Sequence, residues 1–169
     1  DEGAMLHIGF NKDLTKEEIE ERIKNNTIVE VMNHIPVKAG DCYFIPSGTV
    51  HAIGKGCFIY EIQENSNLTY RVYDYGRLGT DGKPRELHIE KALKVMNLNK
   101  LEPENIQSKT LADCQYFKVE KLVNETEIKT DSTSFKCLTF VDGNGLIDGQ
   151  SFNKGDTFFI SANTKVKIE

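Results

Sequence analysis

The chain has 169 residues, 38% of them hydrophobic and 28% charged, with a formal net charge of -5 at pH 7. A chain of this length buries roughly 70% of its unfolded surface, enough for a real core in one domain or two small ones. The acidic balance excludes a general affinity for nucleic acid or anionic lipid, both of which need a basic face, and no apolar run is long enough for a membrane-spanning helix.

Asp1-Glu2-Gly3-Ala4 runs directly into strand-like Met5-Leu6-His7-Ile8, a start that reads as the interior of a longer protein. Thr15-Lys16-Glu17-Glu18 has the capping-box form, and Ile19 and Ile23 continue it as a short amphipathic surface helix to about Asn25. From Ile28 to Tyr75 the pattern turns to β. Val29 and Val31, Cys42 to Ile45, Cys57 to Gln63 and Thr69 to Tyr75 are separated by Gly, Pro and Asn. Residues 76–86 form a Gly-rich polar loop, and His88 to Met96 reads as a second short helix with Ile89, Leu93 and Met96 on one face.

A polar stretch around residues 98–110 has the composition of a linker or surface crossing. Beyond it the chain is β-rich again, at Tyr116 to Leu122, Phe135 to Val141, Thr157 to Ile160 and Lys165 to Ile168. "KAGDCYFIPSG" at 38–48 returns as "NKGDTFFISAN" at 153–163, which implies two related β-barrels, the second without the proline and histidine of the first. Cys42, Cys57, Cys114 and Cys137 lie far apart and form no C-x-x-C pair. They read as reduced thiols of a cytoplasmic protein rather than as a disulfide framework or zinc knuckle.

Gly40, five residues, Pro46, one residue, Gly48, two residues, His51 resembles the second signature motif of the cupin superfamily of small jelly-roll barrels. The glycines and proline turn the chain so that His51 points inward near the barrel mouth, placed to bind a transition metal through one nitrogen. A core histidine satisfied by hydrogen bonds is the alternative at such a position. Lys55 stands where the usual motif has Asn.

"YEIQENSNLTYRVYDYGR" at 60–77 and "RELHIEKAL" at 85–93 resemble the type I mannose-6-phosphate isomerases, in their short bacterial form. The resemblance runs through most of residues 28–97. It implies a zinc-dependent interconversion of mannose 6-phosphate and fructose 6-phosphate, with a sugar phosphate as partner, His51 as a zinc ligand, and Glu61 and Arg71 lining the sugar site. Where that family commonly has Ser-Asp, this chain has Ser66-Asn67.

A hairpin centred on Ser66 would set Glu61 opposite Arg71 on one face. That pairing is either a structural ion pair, worth ~0.2 to 1 kcal/mol if exposed, or part of a polar cluster shared with His51. Arg77, Lys83 and Arg85 are further phosphate candidates, although loop charges are usually solvated. His88 begins a helix and is read as a cap or packing residue, and His7 and His34 have no partner at metal-ligand spacing.

A catalytic zinc normally has three protein ligands, and one strong candidate is present. No H-x-H or Q-x-H followed by glutamate occurs, and in the family those ligands lie upstream. The expectation is therefore mainly β: an incomplete cupin barrel over 1–100, a linker over 101–113 and a second, smaller cupin-like β-domain over 114–169, with two short helices. The parent would be an isomerase, and the chain alone inactive. The alternatives are a non-catalytic sugar-binding cupin and an assembly domain.

Overall fold

Thr15 starts the first helix for a local reason: its Oγ accepts from the Glu18 backbone N–H at 3.2 Å and so satisfies one orphan donor of the first turn. In the computed structural model this helix, α1, spans Lys16–Lys24, with Glu17 and Glu18 at its positive end and Arg22 and Lys24 at its negative end. Ile19 and Ile23 face inward, onto a core that holds Phe10, Leu14, Ile28, Val31 and Met32. The structure describes residues 1–75 and 77–169. Gly76, which opens the expected polar loop, lies outside the described residues.

The chain is mainly β and divides into two compact units, Asp1–Glu120 and Lys121–Glu169. In the first, β1 (Met5–Phe10) is the centre of an antiparallel sheet, flanked by β2 (Met32–Pro36) and β3 (His51–Ile53). The β1–β2 register shifts between His7 and Phe10. Gly9 sits in that irregularity at φ +63, and a Cβ there would come within 2.5 Å of the Leu101 side chain. The Asn33 amide reaches the carbonyls of Ile8, Phe10 and Leu101 at 3.0, 3.2 and 2.8 Å, and so ties the irregular end of β1 to the chain at Leu101. The second helix, α2 (Ile89–Val95), buries Ala92 and Leu93 against the same core, where Val72 joins them.

The first unit extends further than composition implies, because residues 98–106 are bonded into it. Leu14 N–H donates to Leu98 O, Leu101 N–H to Phe10 O, and Ile106 N–H to Cys42 O, at 2.8 to 2.9 Å. Asn105 also bridges the Asp41 carboxylate and the Cys42 N–H. The unit then closes with a ladder of β4 (Thr110–Asp113) and β5 (Lys118–Glu120).

The second unit is built from three antiparallel ladders. β6 (Glu127–Lys129) pairs with β11 (Lys165–Lys167), β7 (Lys136–Thr139) with β10 (Thr157–Ile160), and β8 (Gly145–Ile147) with β9 (Gln150–Phe152). Alternate residues Ile128, Ile147, Phe152, Ile160 and Val166 form its core. The β8–β9 turn places Asp148 and Gly149 at φ +47 and +79, the positive values that a tight hairpin requires.

The internal repeat is visible as a shared turn. Lys38 N–H donates to Asp41 Oδ2 at 2.9 Å and Asn153 N–H to Asp156 Oδ2 at 2.8 Å, with Gly40 at φ +92 and Gly155 at φ +97. After the second copy Thr157–Ile160 is a strand paired with β7; after the first, residues 42–45 are not. The expected hairpin is absent as well: residues 57–63 and 69–75 carry no ladder, and only a local turn forms near Ser66, with its N–H on Glu64 O at 2.7 Å. The reason is the lack of an adjoining strand among the described residues. An alternating pattern becomes a strand only where a neighbour takes its backbone bonds and covers one face, and here Phe58 is 98% and Leu68 74% exposed.

Candidate functional site

His51 is the first residue of β3, and the turn before it explains how it is held. Thr49 N–H donates to Pro46 O at 3.1 Å, and Gly48 at φ +84 gives its carbonyl to Asn97 N–H at 2.8 Å. A Cβ on Gly48 would lie 2.4 Å from the Val95 carbonyl oxygen, so the backbone passes too close to the end of α2 for any side chain. Val50 O accepts from Gly9 N–H at 2.8 Å, and His51 then pairs with Ile8.

The His51 Nδ1–H donates to the Thr49 carbonyl at 2.9 Å. This fixes the tautomer and leaves Nε2 as the lone-pair nitrogen, on an exposed ring. A metal-binding imidazole is oriented in this way. It stands alone, however: among the described residues no three His, Cys, Asp or Glu side chains gather at one point. A catalytic zinc site takes three protein ligands. The described residues therefore do not by themselves fit such a site.

His51 lines a small cleft of about 40 Å³ together with Met32, Val50, Val72, Tyr73 and Tyr75. The volume suits a few waters rather than a sugar phosphate. A roomier cleft of about 250 Å³, bordered by Tyr43, Phe44 and Leu101, carries Glu102 and Glu104, of the wrong charge for a phosphate ester.

Arg71 precedes the wall residues Val72 and Tyr73 and is clamped through its backbone. Its N–H donates to His88 Nδ1 at 3.2 Å, and its carbonyl accepts from His88 N–H at 2.7 Å. His88, at the N-cap of α2, thus spends its ring on Arg71 rather than on its own helix. The Arg71 guanidinium reaches the Glu86 carbonyl at 3.4 Å.

Beside it Arg85 grips Asp74 with two bonds, Nε to Oδ2 at 2.7 Å and Nη2 to Oδ1. The Arg85 hydrogen bonds, with smaller help from the charges of Arg85, Arg71 and Arg77, hold the Asp74 carboxyl below the usual range. Arg77 lies over the Tyr75 ring at 5.2 Å, and Tyr75 rests against Tyr73. Of the loop cations weighed from sequence, Arg85 is therefore engaged, in a pair that composition alone does not reveal.

Glu61 is exposed and makes no hydrogen bond or ion pair among the described residues; it lines neither cleft. With no ladder between residues 57–63 and 69–75, Glu61 and Arg71 form no ion pair across strands. The structure thus brings His51 and the residues next to Arg71 to one wall and leaves Glu61 outside it. The Arg71–His88 clamp and the Asp74–Arg85 pair escaped sequence reasoning because they join residues 17 and 11 positions apart across an irregular loop.

No family model matches the chain. The chain is 38% identical over 168 residues to the mannose-6-phosphate isomerase ManA of Bacillus subtilis, covering 90% of this chain and 53% of that protein. It is 34% identical over 169 residues to the mannose-6-phosphate isomerase of Streptococcus mutans, covering 92% and 53%. The crystal structure of the mannose 6-phosphate isomerase from Bacillus subtilis superposes with a TM-score of 0.83 at 31% identity, over 99% of this chain and 59% of that one. The cupin fold expected from the Gly40-to-His51 motif is the fold of that neighbour.

Proposed function

Because the chain belongs with the mannose-6-phosphate isomerases and spans about half the length of the relatives it matches, we propose that its parent interconverts mannose 6-phosphate and fructose 6-phosphate. The observation that carries this reading is His51. Its Nδ1–H is tied to the Thr49 carbonyl and its Nε2 is left free at a cleft walled by Val72, Tyr73 and Tyr75.

Aldose–ketose isomerisation moves a proton between adjacent carbons through an enediol, so it needs a base at the carbon acid and positive charge near the developing enediolate. Arg71 supplies a permanent cation, and as a planar donor it suits either the enediolate or a phosphate. Glu61 is the proposed base, a role that requires its segment to move from its exposed position to the sugar. Asp74 and Arg85 hold the loop beside Arg71. In the parent, His51 is proposed as one zinc ligand, with the other ligands and much of the sugar pocket outside this chain.

The test is a coupled isomerase assay with metal analysis on this chain and on a version extended at its N-terminus. The extended protein is expected to hold zinc and turn over mannose 6-phosphate, to lose about a hundredfold or more in activity on His51→Ala, and to leave the shorter chain inactive beside it. A folded extended protein without isomerase activity overturns the proposal.

A further inference from the structure

On β1 and β2 two histidines face each other, and neither has a place in the site described above. His7 pairs directly with His34 in the antiparallel register. The Val37 N–H donates to the Ala4 carbonyl, one position beyond Met5↔Pro36, which makes His7↔His34 a non-hydrogen-bonded pair. In such pairs the side chains approach most closely. The two rings meet edge to face, with centroids 4.6 Å apart and planes at 87°.

The nitrogens of this pair are unequally satisfied. The His34 Nε2–H donates to the Val29 carbonyl at 3.0 Å, so the His34 Nδ1 carries the lone pair. The His7 Nδ1 is buried and has no hydrogen-bond partner among the described residues. A buried polar atom without a partner loses its solvation and gains nothing in return, which makes such an atom a candidate for an ion or water partner. Burial, and then the neighbouring His34, hold the His7 imidazole below its ordinary value, so it is neutral and able to coordinate at pH 7.

We propose that His7 and His34 form a two-imidazole site for a late first-row divalent metal ion, of the Zn²⁺, Ni²⁺ or Cu²⁺ class, that does not include His51. Neutral imidazole suits these ions, and water completes their coordination when only two protein ligands are present. The proposal requires one ring to turn about its last torsion so that the two lone pairs meet, and that torsion has a broad, soft profile. Because only two ligands hold the ion, it exchanges readily and is removed by dialysis against a chelator, unlike a three-ligand catalytic zinc.

The experiment titrates Ni²⁺ alone into the tag-free chain carrying His51→Ala, by calorimetry and by NMR of the histidine rings. One saturable equivalent is expected, with the His7 and His34 resonances perturbed and His88 unmoved. His34→Gln keeps the exposed end of the ladder and is expected to weaken binding about a hundredfold, since the second imidazole acts at high effective concentration once the first has bound. His7→Gln should do the same, with circular dichroism reporting whether the sheet is intact. No saturable binding by the His51→Ala chain, or affinity unchanged in a folded His34→Gln chain, overturns the proposal. Neither outcome bears on the isomerase reading, which rests on His51.

Discussion

Single side chains in this protein do their work by closing gaps that the backbone leaves open. Asn33 is the clearest case, since its amide serves three carbonyls around the β1 irregularity. Asn33→Ala leaves them without that donor, and a loss of about 1 to 3 kcal/mol is expected in urea unfolding, with the slope unchanged. Asp74 gives a pH-dependent prediction. Its folded pKa is depressed by Arg85, so its contribution is fully present above the unfolded value near 3.9 and is lost as pH falls through the folded value. The stability difference between the native chain and Arg85→Gln should therefore be constant near neutrality and shrink below about pH 4, measured by denaturant midpoints across that range. The role of Asn33 could not be read from its neighbours in sequence, because its partners lie 23 to 68 residues away.

At the scale of elements, the repeated turn separates local from tertiary causes. Lys38 to Asp41 and Asn153 to Asp156 fold alike because a glycine with positive φ and an aspartate three residues after the first donor are all that the turn needs. The path of the chain after each turn depends on neighbours: β10 has β7 beside it, and residues 42–45 have no strand. Amide hydrogen exchange should accordingly be slow at Phe158 and Ile160 and fast at Phe44 and across residues 58–70, with mass spectrometry as the readout. Equal protection in the two copies of the repeat would contradict this. The helices were legible because capping and apolar spacing are local signals. Residues 57–75 form no hairpin because their alternating pattern states which face would be buried without supplying anything to bury it against.

At the scale of the whole molecule, each unit has a core of its own and each leaves large apolar side chains at its surface, Val123, Phe135 and Phe159 in the second. The core of the first gathers β1, α1, β2, α2 and Val72, while Phe58, Ile59, Tyr60, Ile62, Leu68 and Tyr70 stay at the surface. The second unit closes its own core with three short ladders. The expected linker at 101–113 instead lies on the first unit, since composition reports polarity and not where backbone bonds go. No helix among the described residues is long and apolar enough to cross a membrane. For function, the described residues carry a histidine tied by its Nδ1–H, an arginine clamped through its backbone and a cleft of about 40 Å³ beside them. The comparison of the chain with its extended form is the decisive one.

By itself the sequence determined the mainly β character, α1 and α2, the paired turns of the repeat, and the motif that sets His51 behind Pro46 and Gly48. All of these arise from backbone preferences and spacings within a few residues. Only the tertiary structure decided that residues 42–45 and 57–75 carry no β-ladder, that Glu61 and Arg71 form no ion pair among the described residues, that Asp74 binds Arg85, and that His7 meets His34. Each of these depends on which distant backbone lies alongside, and a pattern along one segment does not carry that information.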